Sequence, residues 1–476
     1  MSNGRRLFGT DGIRGTANEP PMTPELALAL GRAVTFVAGR GKRHVPRILI
    51  GKDTRISCYM LETAMAAGVC SMGGDVILCG PIPTPAVAHL TSSMRVDAGV
   101  VISASHNRYS DNGIKIFATD GFKLADAVEA EIEQLMADES LLGPRKTGAT
   151  IGRAEKLEDS RGRYVAFVKN TFPRDLSLDG IRVVVDAAHG AAYRVAPLAF
   201  DELGAEVTAI GVSPDGVNIN EGVGALHPEA ACAEVLKRKA YIGIALDGDA
   251  DRVMIIDEKG QIVDGDAVLA MCASHMIGEG SLRHSTVVAT VMSNLGLERA
   301  LEAQGARLVR TQVGDRYVVE AMREGGFNLG GEQSGHLLFL DHATTGDGIV
   351  AALQVMALAL KSGKPVSELA RSAMERVPQV LENVLLPARR PLEEMPQLAK
   401  EEARIKGALG KDGRILIRWS GTEPKLRIML EGPDEARIKG WARELAVYCI
   451  DGWGCAYPQS QVTVSRTIRV RVNQAR

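Results

Sequence analysis

Three segments of this chain share one plan, and that plan restricts the folds the chain can adopt. Each runs from an apolar strand through a polar loop into a helix, then through glycine into a second strand, at residues 47–79, 181–210 and 285–309. Glycine just before a strand is typical of a helix C-terminus. Repeated units of this kind favour parallel or mixed sheets covered by helices. We therefore predict an α/β protein with three similar mixed-sheet domains.

The chain also has more residues than one core can hold. It contains 476 residues, and single cores stop growing well below that length. Beyond the third repeat, two strands and a helix predict a smaller α+β domain at the C-terminus. We predict domains at residues 1–150, 151–257, 258–372 and 373–448, followed by a tail of unknown role at 449–476.

Composition excludes several classes of function. The formal net charge is -2 and aromatic residues make up 4%, so we expect no nucleic-acid partner and no base-stacking surface. No stretch has the length of a membrane span, and the seven cysteines include no C-x-x-C pair. We expect a cytoplasmic protein with reduced thiols and no membrane partner.

Residues 99–117 place a hydroxyl and an imidazole at the end of a predicted buried strand. Ser105 and His106 follow the apolar run, at a position where open α/β sheets tend to bind ligands. Serine becomes nucleophilic when a base or a charged neighbour activates it, and His106 and Lys115 are candidates. The Asp-Asn-Gly sequence at 111–113 predicts a turn that would return Lys115 toward Ser105. The alternative is a polar loop between two core strands.

Three aspartates follow another apolar strand at alternate positions. Asp247, Asp249 and Asp251 are separated by small residues, so their carboxylates can converge on one hard cation. Without a cation these charges repel one another. An EF-hand competes with this interpretation because Glu258 stands at the twelfth position of such a loop. However, Arg252 occupies the sixth position, where that loop needs glycine. A solvated acidic turn is the remaining alternative.

Other loops carry groups suited to anions and sugars. Three glycines surround Arg14, which predicts a tight loop that presents its guanidinium to an anion. Glu332 and Ser334 combine a carboxylate with a hydroxyl, which suits sugar hydroxyls or an amine. Hydroxyls, a glycine and two arginines are typical of a phosphate site at Arg418, Ser420, Gly421, Thr422 and Arg427. Each pattern is also compatible with a plain turn.

In this order the motifs resemble the α-D-phosphohexomutase superfamily, and within it the bacterial mutases that act on glucosamine phosphates. The motifs that carry the resemblance are FGTDGIRG (8–15), GKDTRIS (51–57), ISASHN (102–107), NINEGVGALHPE (218–229), DGDADR (247–252), VGDRYVVE (313–320), GGEQSGH (330–336), TTGDG (344–348) and RWSGTEP (418–424). The resemblance implies three similar α/β domains and a smaller α+β C-terminal domain around a central cleft.

The resemblance also implies a role for each candidate residue. Ser105 would be a phosphoserine, and this phosphoserine and the three aspartates would hold Mg²⁺. Lys115, Arg14 and His106 would serve proton transfer and charge stabilisation. The remaining implied residues are the sugar ligands Glu332, Ser334 and His336, and the ligands of the non-reacting phosphate, Arg418, Ser420, Gly421, Thr422 and Arg427.

The implied reaction interconverts glucosamine 6-phosphate and glucosamine 1-phosphate. Phosphoserine 105 would give its phosphoryl group to the free sugar hydroxyl, and the other phosphoryl group of the bisphosphate would return to Ser105. The partners would be small sugar phosphates, with a hexose bisphosphate as primer, and the product would feed amino-sugar precursors of the cell envelope. A homodimer is compatible with the sequence. The alternatives are a phosphomannomutase or phosphoglucomutase, and a catalytically silent sugar-phosphate binder.

Three positions depart from the pattern of the family. Arg108 stands where proline usually follows SHN, Gln312 stands where many relatives carry lysine, and His189 replaces a common asparagine. Arg108 would loosen the loop or add an anion contact, and it is the one feature that supports a silent binder. Gln312 is not counted among the site residues.

Overall fold

The computed structural model describes residues 7–386, 388–420 and 425–451. Within these ranges the chain forms four sheets and divides into two compact units. The first unit contains the residues up to 293 and residues 300–374, and the second contains residues 294–299 and those from 375 onward. We call the sheets, each with its helices, the first, second, third and C-terminal domains.

The first domain contains a six-stranded mixed sheet. Its strands are β1 (Ile13–Thr16), β2 (Arg47–Lys52), β3 (Asp75–Pro81), β4 (Ala98–Ile102), β5 (Asp111–Phe117) and β6 (Ala154–Lys156). Its helices are α1 (Pro24–Gly39), α2 (Ser57–Ser71), α3 (Thr84–Ser93) and α4 (Asp126–Ala137). The strand order is β1-β5-β4-β2-β3-β6, and β5 is antiparallel to both of its neighbours. Every residue of β4 is buried, as expected for an apolar strand covered on both faces.

The second domain contains a five-stranded sheet. Its strands are β7 (Arg182–Asp186), β8 (Glu206–Ile210), β9 (Ile242–Leu246), β10 (Val253–Ile256) and β11 (Ile262–Val263). Its helices are α5 (Ser160–Asn170), α6 (Val195–Asp201) and α7 (Glu229–Arg238). The strand order is β11-β10-β9-β7-β8, with β7 parallel to β8 and β9, and β10 antiparallel to β9. The connection from β9 to β10 therefore reverses the chain direction in a tight loop at the carboxyl end of β9.

The third domain contains a four-stranded sheet. Its strands are β12 (Thr286–Thr290), β13 (Arg307–Thr311), β14 (Leu329–Gly331) and β15 (Leu337–Phe339). The helices of this part of the chain are α8 (Gly265–Gly278), α9 (Leu295–Glu302), α10 (Asp315–Gly325), α11 (Gly348–Ser362) and α12 (Val366–Ala373). The strand order is β13-β12-β14-β15, and only the β14–β15 pair is antiparallel.

No single helix in the described ranges is long and apolar enough to cross a membrane. Taken together, α11 and α12 reach that length and composition, but they are bent by 95° where they meet.

The C-terminal domain contains a three-stranded antiparallel sheet and two helices. Its elements are β16 (Gln379–Leu385), α13 (Pro396–Leu409), β17 (Arg414–Trp419), β18 (Lys425–Glu431) and α14 (Glu435–Asp451). The central strand is β18, and it pairs with β16 and β17. Cys449 is buried in the core of this domain, so the tail predicted from residue 449 overlaps the end of α14. Residues 452–476 lie outside the described ranges.

The three predicted βα units are confirmed. They correspond to β2-α2-β3, β7-α6-β8 and β12-α9-β13, and in each unit the two strands pair in parallel. The predicted fold class, with three mixed-sheet domains and a smaller C-terminal domain, is confirmed as well.

The sheets extend past two of the predicted boundaries. β6, which lies beyond the predicted boundary at residue 150, pairs with β3 of the first sheet. β11, which lies beyond the predicted boundary at residue 257, pairs with β10 of the second sheet. Both strands are only two or three residues long, so they carry little periodic signal of their own.

One local prediction is wrong. Residues 111–113 do not form a turn but begin β5, and the chain turns just before them, where the Asp111 N–H donates to the Arg108 carbonyl at 3.1 Å. Pairing with β1 outweighs the turn preference of Asp-Asn-Gly, because Asp111, Asn112 and Gly113 all stand opposite β1 residues. Glycine is required at 113 for another reason: a Cβ there would lie 2.6 Å from the Ser103 carbonyl oxygen.

Candidate active site

Ser105 lies in the loop after β4 and directs its hydroxyl at a carboxylate of the second domain. Its Oγ donates a hydrogen bond to Asp247 Oδ2 at 2.6 Å, and His106 Nδ1 lies 3.3 Å from the same Oγ. The backbone φ of Ser105 is +51°, in the left-handed region, and its N–H donates to Ser103 Oγ at 2.9 Å. The two serines therefore differ: Ser105 reaches the carboxylates, and Ser103 supports the backbone that presents it.

Asp247, Asp249 and Asp251 lie together in the loop between β9 and β10. All three are buried, and one carboxylate oxygen from each lies within 4.8 Å of the others. Among the described residues, Oδ1 of Asp249 and Oδ1 of Asp251 have no hydrogen-bond partner. Burial and repulsion by Asp251 and Asp249 raise the pKa of Asp247 well above its usual value. Three buried oxygen ligands, two with an unpartnered oxygen, could hold a metal ion and suit a hard cation.

A glycine and a threonine position the loop that carries the three aspartates against Ser105. A Cβ on Gly248 would lie 2.6 Å from the Ser105 carbonyl oxygen, so glycine permits the close approach. Thr84, at the start of α3, donates from Oγ1 to Asp249 Oδ2 at 2.6 Å and from its N–H to the Asp249 carbonyl at 3.0 Å. The first domain therefore supports the carboxylate loop that the second domain supplies.

Lys115, on β5, reaches the carboxylates beside Ser105. Its Nζ lies 3.2 Å from Asp249 Oδ2, 3.1 Å from Asp251 Oδ2 and 3.3 Å from Asp11 Oδ2. Burial favours the neutral amine, but attraction by these three carboxylates is stronger and raises the pKa of Lys115 well above its usual value. Lys115 is therefore a buried ammonium that balances the negative charge of the cluster.

An ion network connects this cluster to the third domain. Lys123 forms ion pairs with Asp11 and with Asp315, the first residue of α10, and Asp11 also pairs with Arg14. Burial opposes ionisation of Asp11, but Lys115, Lys123 and Arg14 outweigh it and hold the pKa of Asp11 well below its usual range. The network therefore joins opposite charges of two domains in one partly buried cluster.

Two arginines and a neutral histidine stand beside the serine. Burial, together with Arg252 and Arg14, lowers the pKa of His106 to about 3, so its imidazole is uncharged at neutral pH. Arg14 donates from Nη1 to the Ala104 carbonyl at 3.4 Å. Among the described residues, Nε of Arg14 and Nε of Arg252 are buried without a hydrogen-bond partner. Cationic side chains with unused, buried N–H groups suit a phosphoryl group.

Glu332 and Ser334 come together at the connection between β14 and β15. Ser334 Oγ donates to Glu332 Oε2 at 2.9 Å, and the Gly314 N–H donates to Glu332 Oε1 at 3.2 Å. His336 is only 2% exposed; its Nδ1 lies 3.8 Å from Asp251 Oδ1 and its Nε2 lies 3.8 Å from Asp315 Oδ2. The structure therefore brings the first two together and places His336 between two carboxylates.

The C-terminal domain carries the predicted phosphate-binding arginines on adjacent strands. Arg418 of β17 stands directly opposite Arg427 of β18. Like charges directly opposite each other destabilise a sheet, and a bound anion would offset this cost. Nε of Arg427 is buried with no hydrogen-bond partner in the described ranges, and the Ser420 N–H donates to the Lys425 carbonyl at 2.7 Å. Gly421 and Thr422 lie outside the described residues.

Four charged residues at the site were not predicted: Asp11, Lys123, Arg252 and Asp315. Asp11 and Arg252 had a local signal, because they lie within the same motifs as Arg14 and Asp251. Lys123 had none, because its partners Asp11 and Asp315 are 112 and 192 residues away in the sequence.

Comparison with known proteins identifies four domain families in this chain. They are described as phosphoglucomutase/phosphomannomutase alpha/beta/alpha domains I, II and III and C-terminal domain, and they match residues 5–142, 162–260, 264–377 and 381–447, respectively.

Two curated relatives have high identity over most of the chain. Phosphoglucosamine mutase of Sorangium cellulosum (strain So ce56) is 66% identical over 442 residues, which are 93% of this chain and 92% of that protein. Phosphoglucosamine mutase of Anaeromyxobacter sp. (strain Fw109-5) is 59% identical over 446 residues, 93% of this chain and 95% of that protein.

Solved structures show the same fold at low sequence identity. A phosphoglucomutase/phosphomannomutase family protein from Burkholderia thailandensis has a TM-score of 0.78 at 23% identity, covering 95% of this chain and 98% of that one. Aspergillus fumigatus N-acetylphosphoglucosamine mutase, in complex with GlcNAc-6P and magnesium, has a TM-score of 0.63 at 17% identity, covering 94% and 96%. The chain therefore belongs to the α-D-phosphohexomutase superfamily, whose members are isomerases that move a phosphoryl group within a sugar phosphate.

Proposed function

We propose that this enzyme is a phosphoglucosamine mutase, which interconverts glucosamine 6-phosphate and glucosamine 1-phosphate through a phosphoserine at Ser105. The observation that carries the proposal is the contact of Ser105 Oγ with Asp247 Oδ2, at 2.6 Å, inside a buried triad of aspartates. Identity of 66% to a relative named phosphoglucosamine mutase supports the same activity.

Ser105 and the three aspartates would hold Mg²⁺. Their oxygens fit a small hard cation, and Oδ1 of Asp249, which has no hydrogen-bond partner among the described residues, is available to it. When bound, the ion would neutralise charge on the transferring phosphoryl group. The complex of the Aspergillus fumigatus enzyme with magnesium agrees with this proposal.

The reaction would proceed in two phosphoryl transfers. In the first, the bond between Ser105 Oγ and phosphorus breaks, a bond from the free sugar hydroxyl oxygen to phosphorus forms, and the proton that the hydroxyl loses ends on Ser105 Oγ. In the second, a bond forms from Ser105 Oγ to the other phosphorus of the bisphosphate, the bond from that phosphorus to its sugar oxygen breaks, and the proton that Oγ loses ends on the freed sugar oxygen. His106 Nδ1, 3.3 Å from that Oγ, is placed to exchange the proton. The ammonium of Lys115 and the guanidinium of Arg14 would offset the developing negative charge.

The sugar and its second phosphate would be held by other parts of the chain. Glu332 and Ser334 would contact the sugar, and Glu332 would pair with a protonated 2-amine. A charge-assisted hydrogen bond of this kind is about twice as strong as a neutral one, which favours the amino sugar. The predicted ligands of the non-reacting phosphate are Arg418, Ser420, Gly421, Thr422 and Arg427.

We propose that the reaction takes place in the cytoplasm and feeds amino-sugar precursors of the cell envelope. Six cysteines in the described ranges are free thiols, which persist in a reducing compartment. A hexose bisphosphate would prime the enzyme by phosphorylating Ser105.

A transfer experiment tests the phosphoserine route. Enzyme labelled with ³²P from a hexose bisphosphate is isolated and then mixed with unlabelled glucosamine 6-phosphate. We expect the label to reside on Ser105 and to pass to the sugar, and we expect Ser105→Ala to take up no label. Ser103→Ala is the matched control and should still be labelled. Label on another residue, or label that glucosamine 6-phosphate cannot remove, would refute the proposal.

A further inference from the structure

Two buried polar side chains near Ser105 have no role in the reaction described above. Arg55 follows β2 in the GKDTRIS segment and is 0% exposed, and Asn220 lies between β8 and α7 in the NINEGVGALHPE segment and is 8% exposed. The first belongs to the first domain and the second to the second domain. Burial of such polar groups is costly unless hydrogen bonds satisfy them, so their partners indicate what they do.

Both side chains donate to the same two carbonyl groups of the Ser105 loop. The Ser105 carbonyl accepts from Arg55 Nη2 at 3.1 Å and from Asn220 Nδ2 at 2.9 Å. The Asn107 carbonyl accepts from the same two nitrogens, at 2.6 Å and 3.0 Å. Each donor therefore bridges two carbonyl groups, and the loop is fixed from two sides.

The conformation fixed in this way is one that serine seldom adopts. The φ of Ser105 is +51°, in a region that is unfavourable for residues other than glycine because their Cβ crowds the backbone. Relaxation of the backbone to the usual region would turn the Ser105 side chain away from its present direction, in which Oγ donates to Asp247. Strain of this kind persists where the surrounding structure enforces it.

The two donors are themselves held in place, and the carboxylate loop packs against them. Arg55 pairs with the buried carboxylate of Asp53, and the Asn220 N–H donates to the Ala188 carbonyl at 2.9 Å. A Cβ on Gly248 would lie 2.6 Å from the Ser105 carbonyl oxygen and 2.8 Å from Asn220 Nδ2. Gly248 of the aspartate loop therefore packs directly against Asn220 and against the carbonyl group that Asn220 holds.

We infer that Arg55 and Asn220 are positioning residues that hold the Ser105 backbone in its left-handed conformation and thereby aim its hydroxyl at the aspartates. Because Asn220 comes from the second domain, the orientation of the nucleophile depends on contact between the first two domains. The inference rests on the proposed function only in taking Ser105 as the phosphoryl carrier. Among the described residues, the side-chain hydrogen bonds of Arg55 and Asn220 go to Asp53 and the Ser105 loop and not to Glu332 or Ser334.

The test uses Asn220→Asp and Asn220→Ala, which remove the amide donor. Asn218→Ala is the matched control, because Asn218 lies in the same loop and, among the described residues, its side chain hydrogen-bonds to Ser213 and Asp215 of that loop and not to the Ser105 loop. We expect both Asn220 variants to lower kcat about 10- to 100-fold, because small displacements of a reacting group have effects of that size, while KM for the sugar phosphate stays within about twofold. Asn218→Ala should keep both constants. Arg55→Lys retains one cationic donor and should lower kcat less than Arg55→Ala.

Hydrogen exchange separates this inference from the proposed function. In unphosphorylated enzyme without substrate, the peptide that contains residues 103–108 should exchange its amide hydrogens faster in Asn220→Asp than in the wild type and in Asn218→Ala. This readout applies even if the wild type turns over no hexose phosphate, an outcome that would refute the proposed function alone. Unchanged exchange with wild-type kcat in Asn220→Asp would overturn the inference. Equal loss of kcat in Asn218→Ala and Asn220→Ala would also overturn it, because general weakening of the loop would then explain the effect.

Discussion

Ser105 combines a costly backbone conformation with a charged acceptor for its hydroxyl. A non-glycine residue in the left-handed region costs about 1–3 kcal/mol, which the hydrogen bonds around its carbonyl and N–H offset. This conformation orients the side chain so that Oγ donates a hydrogen bond to Asp247 Oδ2 at 2.6 Å. The sequence indicated Ser105 and the aspartates through local patterns, but nothing local predicted the strained φ, which depends on Arg55 and Asn220 from distant segments.

At the same scale, we predict that replacing one of the three aspartates lowers activity without lowering the stability of the metal-free protein. Asp247 is buried beside two like charges, so Asp247→Asn should lower mutase activity at least about 100-fold yet leave the metal-free protein as stable as the wild type or more so. Mg²⁺ at 100 times its dissociation constant should raise the unfolding free energy of the wild type by about 2.7 kcal/mol. It should not stabilise the variant.

Urea denaturation in EDTA and in Mg²⁺ measures these differences. Asp257→Asn is the control, because Asp257 is also buried in the second domain but lies outside the triad. It should keep the stabilisation by Mg²⁺. Full activity in excess chelator, or equal stabilisation of Asp247→Asn and the wild type by Mg²⁺, would contradict the assignment of the ligands.

At the scale of elements, predictability follows the separation between partners in the sequence. The three βα units were predictable because each unit is local and its strands are runs of buried apolar residues. The turn at 111–113 was predicted wrongly because β5 pairs with β1, about a hundred residues earlier, and this pairing was invisible in the local pattern. Tertiary contacts thus decided between two conformations that the residues alone both allow.

The N-terminus of α11 predicts a pH-dependent contribution to stability. Asp347 caps this helix by accepting from the N–H groups of Ile349 and Val350, each at 3.0 Å, and from Tyr164 Oη at 2.9 Å. Burial nevertheless raises the pKa of Asp347 to about 6, from 3.8. The folded protein therefore binds this proton more tightly than the unfolded chain does. The resulting stability is fully present below about pH 4 and is lost as the pH rises through about 6.

Comparison with Asp347→Asn isolates this contribution, since asparagine also caps helices and does not titrate. Between pH 4 and pH 7, the unfolding free energy of the wild type relative to the variant should fall by about 2 kcal/mol. Urea denaturation of both proteins at several pH values measures the difference. A difference that does not change with pH would show that Asp347 ionises normally.

At the scale of the molecule, the site is assembled from segments that single motifs describe only in part. Each motif supplies a few of the candidate residues, and the ion network of Lys123 with Asp11 and Asp315 joins two domains at the cluster. The sequence predicted the superfamily and the fold class, which the domain matches and the four sheets confirm. The network escaped prediction because its members are far apart in the chain and carry no common pattern.

The central claim, that the substrate is an amino sugar phosphate, is tested most directly by comparing substrates. Purified, phosphorylated enzyme with Mg²⁺ and a trace of hexose bisphosphate is assayed with the 1-phosphates of glucosamine, glucose, mannose and N-acetylglucosamine. We predict that kcat/KM for glucosamine 1-phosphate exceeds the others at least about tenfold, equivalent to about 1.4 kcal/mol, because the proposed pairing of Glu332 with the 2-amine would favour it. Equal or higher values for glucose or mannose 1-phosphate would contradict the account in favour of a phosphoglucomutase or phosphomannomutase, and no turnover of any substrate would indicate a silent binder.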